Sequence, residues 1–346
     1  MLKIKHLKIN GFETVVVGKD PSTSFHALIA VHSTRLGPSL GGIRMWPYAH
    51  EKEALQDVLR LASAMSKKAA ISGLALGGGK AVIMGNPQKD KTRDLLLSMG
   101  TFIDSLKGRY IAAKDSGILP EDLDIVSQHT RYVTGTTGTH GGSGDPSLST
   151  AKGVFAGMQS ACKLVFGTQN LTNRVVAIQG VGHVGWNLGN LLMKHHAQLV
   201  VADLQPERAA KAKQSWNASV VPLSKIHKIP ADIFAPCALG GILNADTIPQ
   251  LRAKIIAGGA NNQFLDEERD PYQLMERNIL HVPDYVLNAG GLIQLYVREI
   301  LHQRRLAPWI ENIKRTVHEI LSIARQEHLP PLVAANQIAL EKIKNA

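Results

Sequence analysis

The chain has 346 residues, 44% of them hydrophobic, enough for roughly two domains with substantial cores. Its formal charge of +11 is spread along the sequence, and aromatic residues are scarce. The long basic runs and basic–aromatic interleaving of a nucleic-acid groove are missing, so a solvated basic surface with some pull on anionic ligands is expected, and no nucleic acid. No uninterrupted apolar stretch is long enough to span a bilayer, Met1–Lys8 lacks the features of a secretory signal, and two distant cysteines suggest no disulfide framework. A cytoplasmic protein without a membrane partner is the expectation.

In chain order, Met1–Lys8 alternates apolar with basic residues, as an edge strand does, and apolar runs at 13–17 and 27–31 read as further strands. A long helix is predicted over 51–70, with Leu55, Val58, Ala62, Met65 and Ala69 on one face at three- and four-residue spacing. The Gly-rich run 73–79 reads as a turn, followed by a strand at 81–84, a helix at 92–106 and a strand at 110–113. The stretch 134–147 is dense in Gly, Thr and Ser, ends its polar run at Asp145-Pro146, and reads as an interdomain hinge. Helix–strand alternation resumes near Ser149, with strands ending at 233–235 and 255–257. The tail from Trp309 is helical apart from Pro330-Pro331. There is no internal repeat. The pattern is α/β in two domains. An N-terminal α/β substrate and oligomerisation domain spans 1–145, joined by a C-terminal helix at about 326–346, and a Rossmann-type domain spans 146–325.

The second block carries a nucleotide signature. The apolar run 174–179 leads into Gly180-Val181-Gly182-His183-Val184-Gly185, then a helix-like stretch, then a second apolar run ending at Asp203. A lone G-x-G-x-x-G is weak, but strand, glycine turn, helix and acid stand here in the order a dinucleotide site requires. Gly180 permits the tight turn, Gly182 the approach of a pyrophosphate, and Gly185 close helix packing, while the free N–H groups of the helix start face the phosphates. Asp203 would accept hydrogen bonds from a ribose diol and repel a 2′-phosphate, which favours NAD over NADP.

The first block carries the chemistry. Gly77-Gly78-Gly79-Lys80 is no phosphate loop, because Leu74 replaces the first Walker glycine and Ala81 the magnesium-binding hydroxyl. What remains is a lysine whose pKa desolvation and a neighbouring cation can lower, a candidate general base. Lys67 and Lys68 end the long helix, where cations meet the C-terminal dipole. Asp115 follows the strand 110–113, and a cation at Lys114 would depress its pKa if the two side chains met. The histidines show no metal-ligand spacing, and no metal is expected.

Leu36-Gly37-Pro38-Ser39-Leu40-Gly41-Gly42-Ile43-Arg44, Met65-Ser66-Lys67-Lys68-Ala69-Ala70 and Leu76-Gly77-Gly78-Gly79-Lys80 resemble the glutamate/leucine/phenylalanine/valine dehydrogenase superfamily, leucine dehydrogenases above all. The similarity continues through Pro146-Ser147, Thr150-Ala151, Gly180–Gly185, the run 235–240, Gly259-Ala260-Asn261-Asn262-Gln263 and the run 283–291. It covers nearly the whole chain. The resemblance implies NAD-linked oxidative deamination of an L-amino acid to a 2-oxo acid and ammonia. Lys68 would bind the substrate carboxylate, Lys80 activate water as general base, and Asp115 shuttle protons. Gly41 and Gly42 would frame the site. Thr150, Asn261 and Asn262 would hold the nicotinamide side of the cofactor, and the motif brings Cys237 and Ala238 to the same cofactor. Asn288 would serve both cofactor and substrate amine. Leu40, Ala113, Leu292 and Leu295 would line an apolar side-chain pocket. It also implies a homo-oligomer and a cleft that closes for hydride transfer.

The sequence departs from the family at Lys114 and Ser116, at Asp145, where asparagine is common, and at Leu292 and Leu295, each one methylene larger than valine. A methylene is worth only about 1–3 kcal/mol of discrimination. A branched-chain, leucine-like substrate is favoured. An aromatic substrate stays open, since Gly240–Asn244 and the triple glycine also resemble a tryptophan-specific relative, as does a non-catalytic NAD-binding regulator.

Overall fold

In the computed structural model, which describes residues 1–238 and 240–346, the chain forms two units. One comprises Met1–Gly144, Leu295–Arg304 and Ala339–Ala346, the other Asp145–Gln294 and Arg305–Ile338. Leu239, within the run 235–240, lies outside the described residues. The chain returns to the first unit at 339 rather than near 326, and an additional segment, 295–304, joins it. The cause is polar: in a π-helical turn, Tyr296–Ile300, Glu299 accepts the amides of Gly135 (2.7 Å) and Ser143 (2.8 Å), and Arg298 donates to the Ser143 carbonyl.

The first unit is built on β1 (Lys3–Leu7), β2 (Thr14–Asp20), β3 (Phe25–Ser33), β4 (Ser39–Trp46), α1 (Glu51–Ile71), β5 (Gly77–Met84), α2 (Arg93–Asp104), β6 (Tyr110–Lys114) and α3 (Pro120–Val126). Its mixed sheet has the order β1-β2-β3-β5-β4-β6, in which the pairs β1–β2, β2–β3 and β3–β5 are antiparallel and β4 is parallel to both β5 and β6. Alternation along the strands sorts the side chains to two faces. One face carries an apolar core: Ile29, Ile43, Met45, Ala81, Ile83 and Ala112 meet Leu95, Met99 and Phe102 of α2 and Leu123 of α3. On the other, Leu28, Ala30 and Val82 meet Ala54, Val58 and Ala62 of α1.

Residues 77–79, expected as the end of a turn, open strand β5 instead. Their glycines reflect crowding across the strand. A side chain at Gly77 would strike the Ser33 carbonyl, one at Gly78 the backbone of Ser66 on α1, and one at Gly79 the Ser39 hydroxyl and the Tyr110 ring. The run therefore lets β3, β4 and α1 close around the strand that carries Lys80.

The second unit opens with α4 (Ser147–Phe166), then β7 (Val175–Gln179), α5 (His183–Lys194), β8 (Gln198–Ala202), α6 (Pro206–Trp216), β9 (Ser219–Val220), β10 (Ile233–Pro236), β11 (Ile255–Ile256), α7 (Asp270–Glu276), β12 (Leu280–His281), α8 (Asp284–Leu287) and α9 (Gly290–Leu295). It ends with α10 (Ala307–Glu327) and most of α11 (Pro331–Lys344). The sheet, β12-β11-β10-β7-β8-β9, is parallel throughout. From β7 the strands run outward to β9 on one side and restart at β10 on the other. That reversal is the switch point at which doubly wound sheets bind ligands. Among the described residues, no helix is long and apolar enough to cross a membrane.

Candidate active site

Lys80 projects from the middle of β5 onto the α1 face. Ile43 is registered with Ala81, so Gly42 on β4 stands beside Lys80, and Gly42 is registered with Ala113 on β6. A side chain at Gly42 would collide with Asp115 Cβ and the Lys114 carbonyl. Its absence leaves the gap across which Lys80 Nζ reaches Asp115 Oδ2 at 2.7 Å. Leu40, Gly42, Arg44, Lys80 and Ala113 share this face, because their strand neighbours Ile43, Ala81 and Ala112 belong to the opposite core. Gly41 closes on Gly79, and its carbonyl accepts the buried Tyr110 hydroxyl at 2.6 Å.

The charges here extend well beyond Lys80 and Asp115. Arg44 donates through Nε to Asp115 Oδ2 (3.0 Å) and through a terminal nitrogen to Asp57 Oδ2 (2.9 Å). Asp57, on α1, also accepts the Tyr48 hydroxyl (2.7 Å) and Arg60 (2.9 Å). Burial pulls the Lys80 pKa down, and outweighs the upward pull of Asp115 on it. For Asp115, burial pushes upward but is outweighed by Lys80, by Arg44 and by the Ser116 amide, so its carboxyl lies below the usual range. The depressing cations are therefore Lys80 and Arg44. Lys114, suspected from its place in sequence, is exposed and turns away, because adjacent residues of an extended chain point to opposite sides.

Lys68 is half-buried in the last turn of α1, whose Ser66 lies against Gly78 of β5. Of the expected side-chain pocket, Leu40, Ala113 and Leu295 belong to the first unit and Leu292, with Asn288, to the second. Leu40 and Ala113 are buried.

The second unit holds the dinucleotide cradle. Gly180 has a φ of +92°, a left-handed conformation natural to glycine, and a side chain there would meet Ala238. A side chain at Gly185 would strike the Gly180 carbonyl, so the loop can fold tightly over the start of α5 only with glycine. Gly182 caps α5, and Val181, His183 and Val184 complete the turn, with Val184 packed near Gly259. Asp203 Oδ2 accepts the Val181 amide (2.7 Å) and Oδ1 the Gln205 amide (2.8 Å). Each oxygen keeps a lone pair for a ligand hydroxyl. A cleft of about 560 Å³ is lined by Gly180, Gly182, Asp203, Arg208, Cys237 and Ala238. Glycine turn, helix start, anchored acid and cleft fit a nicotinamide dinucleotide.

Asn261 and Asn288 pair elsewhere in this unit, and Thr150 lies against Gly291. Asn288 donates to Asn261 Oδ1 (2.7 Å), and Gly290 and Gly291 let the start of α9 close on Ser149 and Thr150. Asn262 adopts the left-handed conformation that asparagine tolerates, and its carbonyl accepts the Gly241 amide. Asp145 caps the start of α4 by accepting the Ser147 amide and hydroxyl, and pairs with His183 (2.9 Å). Among the described residues, no group of three or more His, Cys, Asp or Glu side chains is placed to hold a metal.

Sequence reading missed Arg44, Tyr48, Asp57, Arg60 and Arg208. For Arg44 the signal was present: it stands two residues after Gly42 and four after Leu40 on one strand, hence on the same face. Nothing local in the sequence joins Asp57 on α1 to that strand.

Residues 12–138 match the family model for the Glu/Leu/Phe/Val dehydrogenase dimerisation domain, and 202–346 match the Glutamate/Leucine/Phenylalanine/Valine dehydrogenase model. Leucine dehydrogenase of Thermoactinomyces intermedius is 45% identical over 335 residues, 96% of this chain and 91% of that protein. L-tryptophan dehydrogenase of Nostoc punctiforme is 42% identical over 347 residues, covering all of this chain and 97% of that protein. A crystal structure of the Nostoc punctiforme L-tryptophan dehydrogenase superposes with a TM-score of 0.87 at 41% identity, covering 97% of this chain and 96% of that one. The chain belongs to the Glu/Leu/Phe/Val dehydrogenase family and is an amino-acid dehydrogenase, an oxidoreductase acting on a CH–NH2 group.

Proposed function

We propose that this enzyme reversibly converts a branched-chain, leucine-like L-amino acid to its 2-oxo acid and ammonia with NAD. The observation that carries this reading is the pair of buried Lys80 and half-buried Asp115 at 2.7 Å beside apolar Leu40 and Ala113. When bound, NAD supplies the acceptor for the hydride that leaves the substrate Cα. Lys68 binds the substrate carboxylate. Lys80, whose pKa burial lowers, takes a proton, once it has lost its own, from the water that attacks the imine carbon. Asp115, held ionised by Lys80 and Arg44, exchanges protons with the departing amine. Gly42 keeps this face open to the substrate, and Gly41 lets β4 close on Gly79 behind it. In the second unit, Gly180–Gly185, Asp203, Cys237 and Ala238 hold the adenosine and pyrophosphate, and Thr150, Asn261, Asn262 and Asn288 the nicotinamide side. The Asp203 carboxylate repels a 2′-phosphate, which selects NAD. The match of 12–138 to a dimerisation domain supports a homo-oligomer built through the first unit.

An aromatic substrate is the second reading, favoured by the Nostoc punctiforme relative, named for tryptophan and matched over the whole chain. NADH formation with a panel of L-amino acids at alkaline pH separates the two. Leucine, valine or isoleucine should outperform glutamate by orders of magnitude, since a carboxylate without a partner in an apolar pocket is costly. Faster turnover of tryptophan or phenylalanine transfers the assignment to the aromatic reading. Equal catalytic efficiency with NADP removes the role given to Asp203. The rate should climb as pH rises through the lowered Lys80 pKa, because the base acts only after losing its proton.

A further inference from the structure

Lys80, Asp115, Arg44, Asp57 and Arg60 alternate in sign along one chain of contacts, at 2.7, 3.0, 2.9 and 2.9 Å. The chain links four elements, from β5 through the end of β6 and β4 to α1. Its far members, Asp57 and Arg60, make no direct contact with Lys80, and the proposed reaction gives them no task. Yet Asp57 is only 18% exposed and takes three hydrogen bonds, from Arg44, Tyr48 and Arg60, more than an aspartate needs to finish a helix surface.

We propose that Asp57 and Arg44 are positioning residues that set the charge balance around Lys80, Arg44 by touching Asp115 and Asp57 by neutralising Arg44. The proposal rests on Lys80 being the base. Arg44 is a cation on the carboxylate oxygen that Lys80 also uses, so it opposes protonation of that lysine. Asp57 offsets Arg44 and so restores some of that affinity. Both directions follow from Coulomb's law in a partly buried network, and Arg44 indeed pulls the Lys80 pKa down while Asp57 pulls it up. The other groups on elements packed against Lys80 are few. Lys68 and Arg60 on α1 add positive charge. Tyr48 is held protonated by burial and by Asp57. Tyr110 on β6 is buried and neutral. His32 on β3 faces Ser66 (2.8 Å), and burial and Lys67 hold its pKa down. None of these reverses the alternation.

The alternation makes a prediction that a merely structural role does not: removing neighbouring members shifts Lys80 in opposite directions. The acidic limb of the pH profile of kcat/KM reports the free enzyme's base. Asp57→Asn, which keeps size and most hydrogen bonds, should move that limb to lower pH, and Arg44→Met to higher pH, each by on the order of half a pH unit. Arg44→Lys should restore much of the wild-type profile, and Tyr48→Phe should leave the limb in place. The substrate amine titrates identically in every variant, so differences belong to the protein. A limb that stays fixed in folded Asp57→Asn, or that moves the same way in both variants, overturns the proposal. Should Arg44→Met fail to fold, Asp57→Asn alone decides. The pH dependence of Lys80 acylation by an amine-directed reagent, read by peptide mass, follows its proton without turnover. Near-normal kcat in Lys80→Ala would defeat the base assignment, and the acylation midpoints would still decide whether Asp57 and Arg44 shift Lys80 oppositely.

Discussion

The two units make their candidate sites from different materials. In the first, the proposed chemistry sits on side chains in the middle of a mixed sheet, where Lys80 is buried between β3 and β4 and meets Asp115 across the space left by Gly42. In the second, the site lies at the strand ends of a parallel sheet and is made chiefly of backbone, the turn at Gly180–Gly185 and the free amides that open α5. Its one acid, Asp203, is tied to that backbone through the Val181 and Gln205 amides. A site of backbone groups tolerates changes of side chain but not of backbone space. A buried charge network responds to the loss of any member, since each removal leaves a partner buried and uncompensated.

The largest effect is expected on the side-chain site. Lys80→Ala should lower kcat about 10²–10⁴-fold, the usual scale for general acid–base catalysis. Dinucleotide affinity, measured by NADH fluorescence titration, should stay within about twofold, because the cradle belongs to the second unit. A parallel loss of affinity would erase the division of labour. Next comes an insult to backbone space. Gly185→Val drives a side chain against the Gly180 carbonyl. It should weaken NADH binding at least tenfold and lower the melting temperature, overpacking of this kind costing about 1–3 kcal/mol. Unchanged affinity would mean that the turn is not the cradle. The smallest effect should come from a cradle side chain. His183 is largely exposed beside the loop and pairs with exposed Asp145. His183→Ala should change the NADH dissociation constant by less than about twofold, and a tenfold change would show that side chains matter in this half after all.

The same contrast explains what could be read in advance. The Gly180–Gly185 turn and Asp203 were legible because strand, turn, helix and acid are consecutive, and consecutive residues obey local rules. The helix at 51–70 and the strand at 110–113 were legible for the same reason and appear as α1 and β6. The glycines at 77–79 were misread as a turn, because a glycine required by a neighbour's backbone looks in sequence like one required by its own dihedral angles. Lys114 was suspected of acting on Asp115 by adjacency, yet extended chain sends adjacent side chains apart. The cations that act on Asp115 arrive from positions 44 and 80.

By itself the sequence determined the alternation of helix and strand, the nucleotide turn, the family and the residue types available for chemistry, all properties carried by neighbours in the chain. The tertiary structure alone decided which of those residues meet. It joined Lys80 to Asp115 across Gly42, brought Arg44 and Asp57 to the same charges, and returned residues 295–304 and 339–346 to the first unit. The physical reason is that charge interactions depend on distance and burial, and for residues on separate strands and helices both are set by sheet order and register.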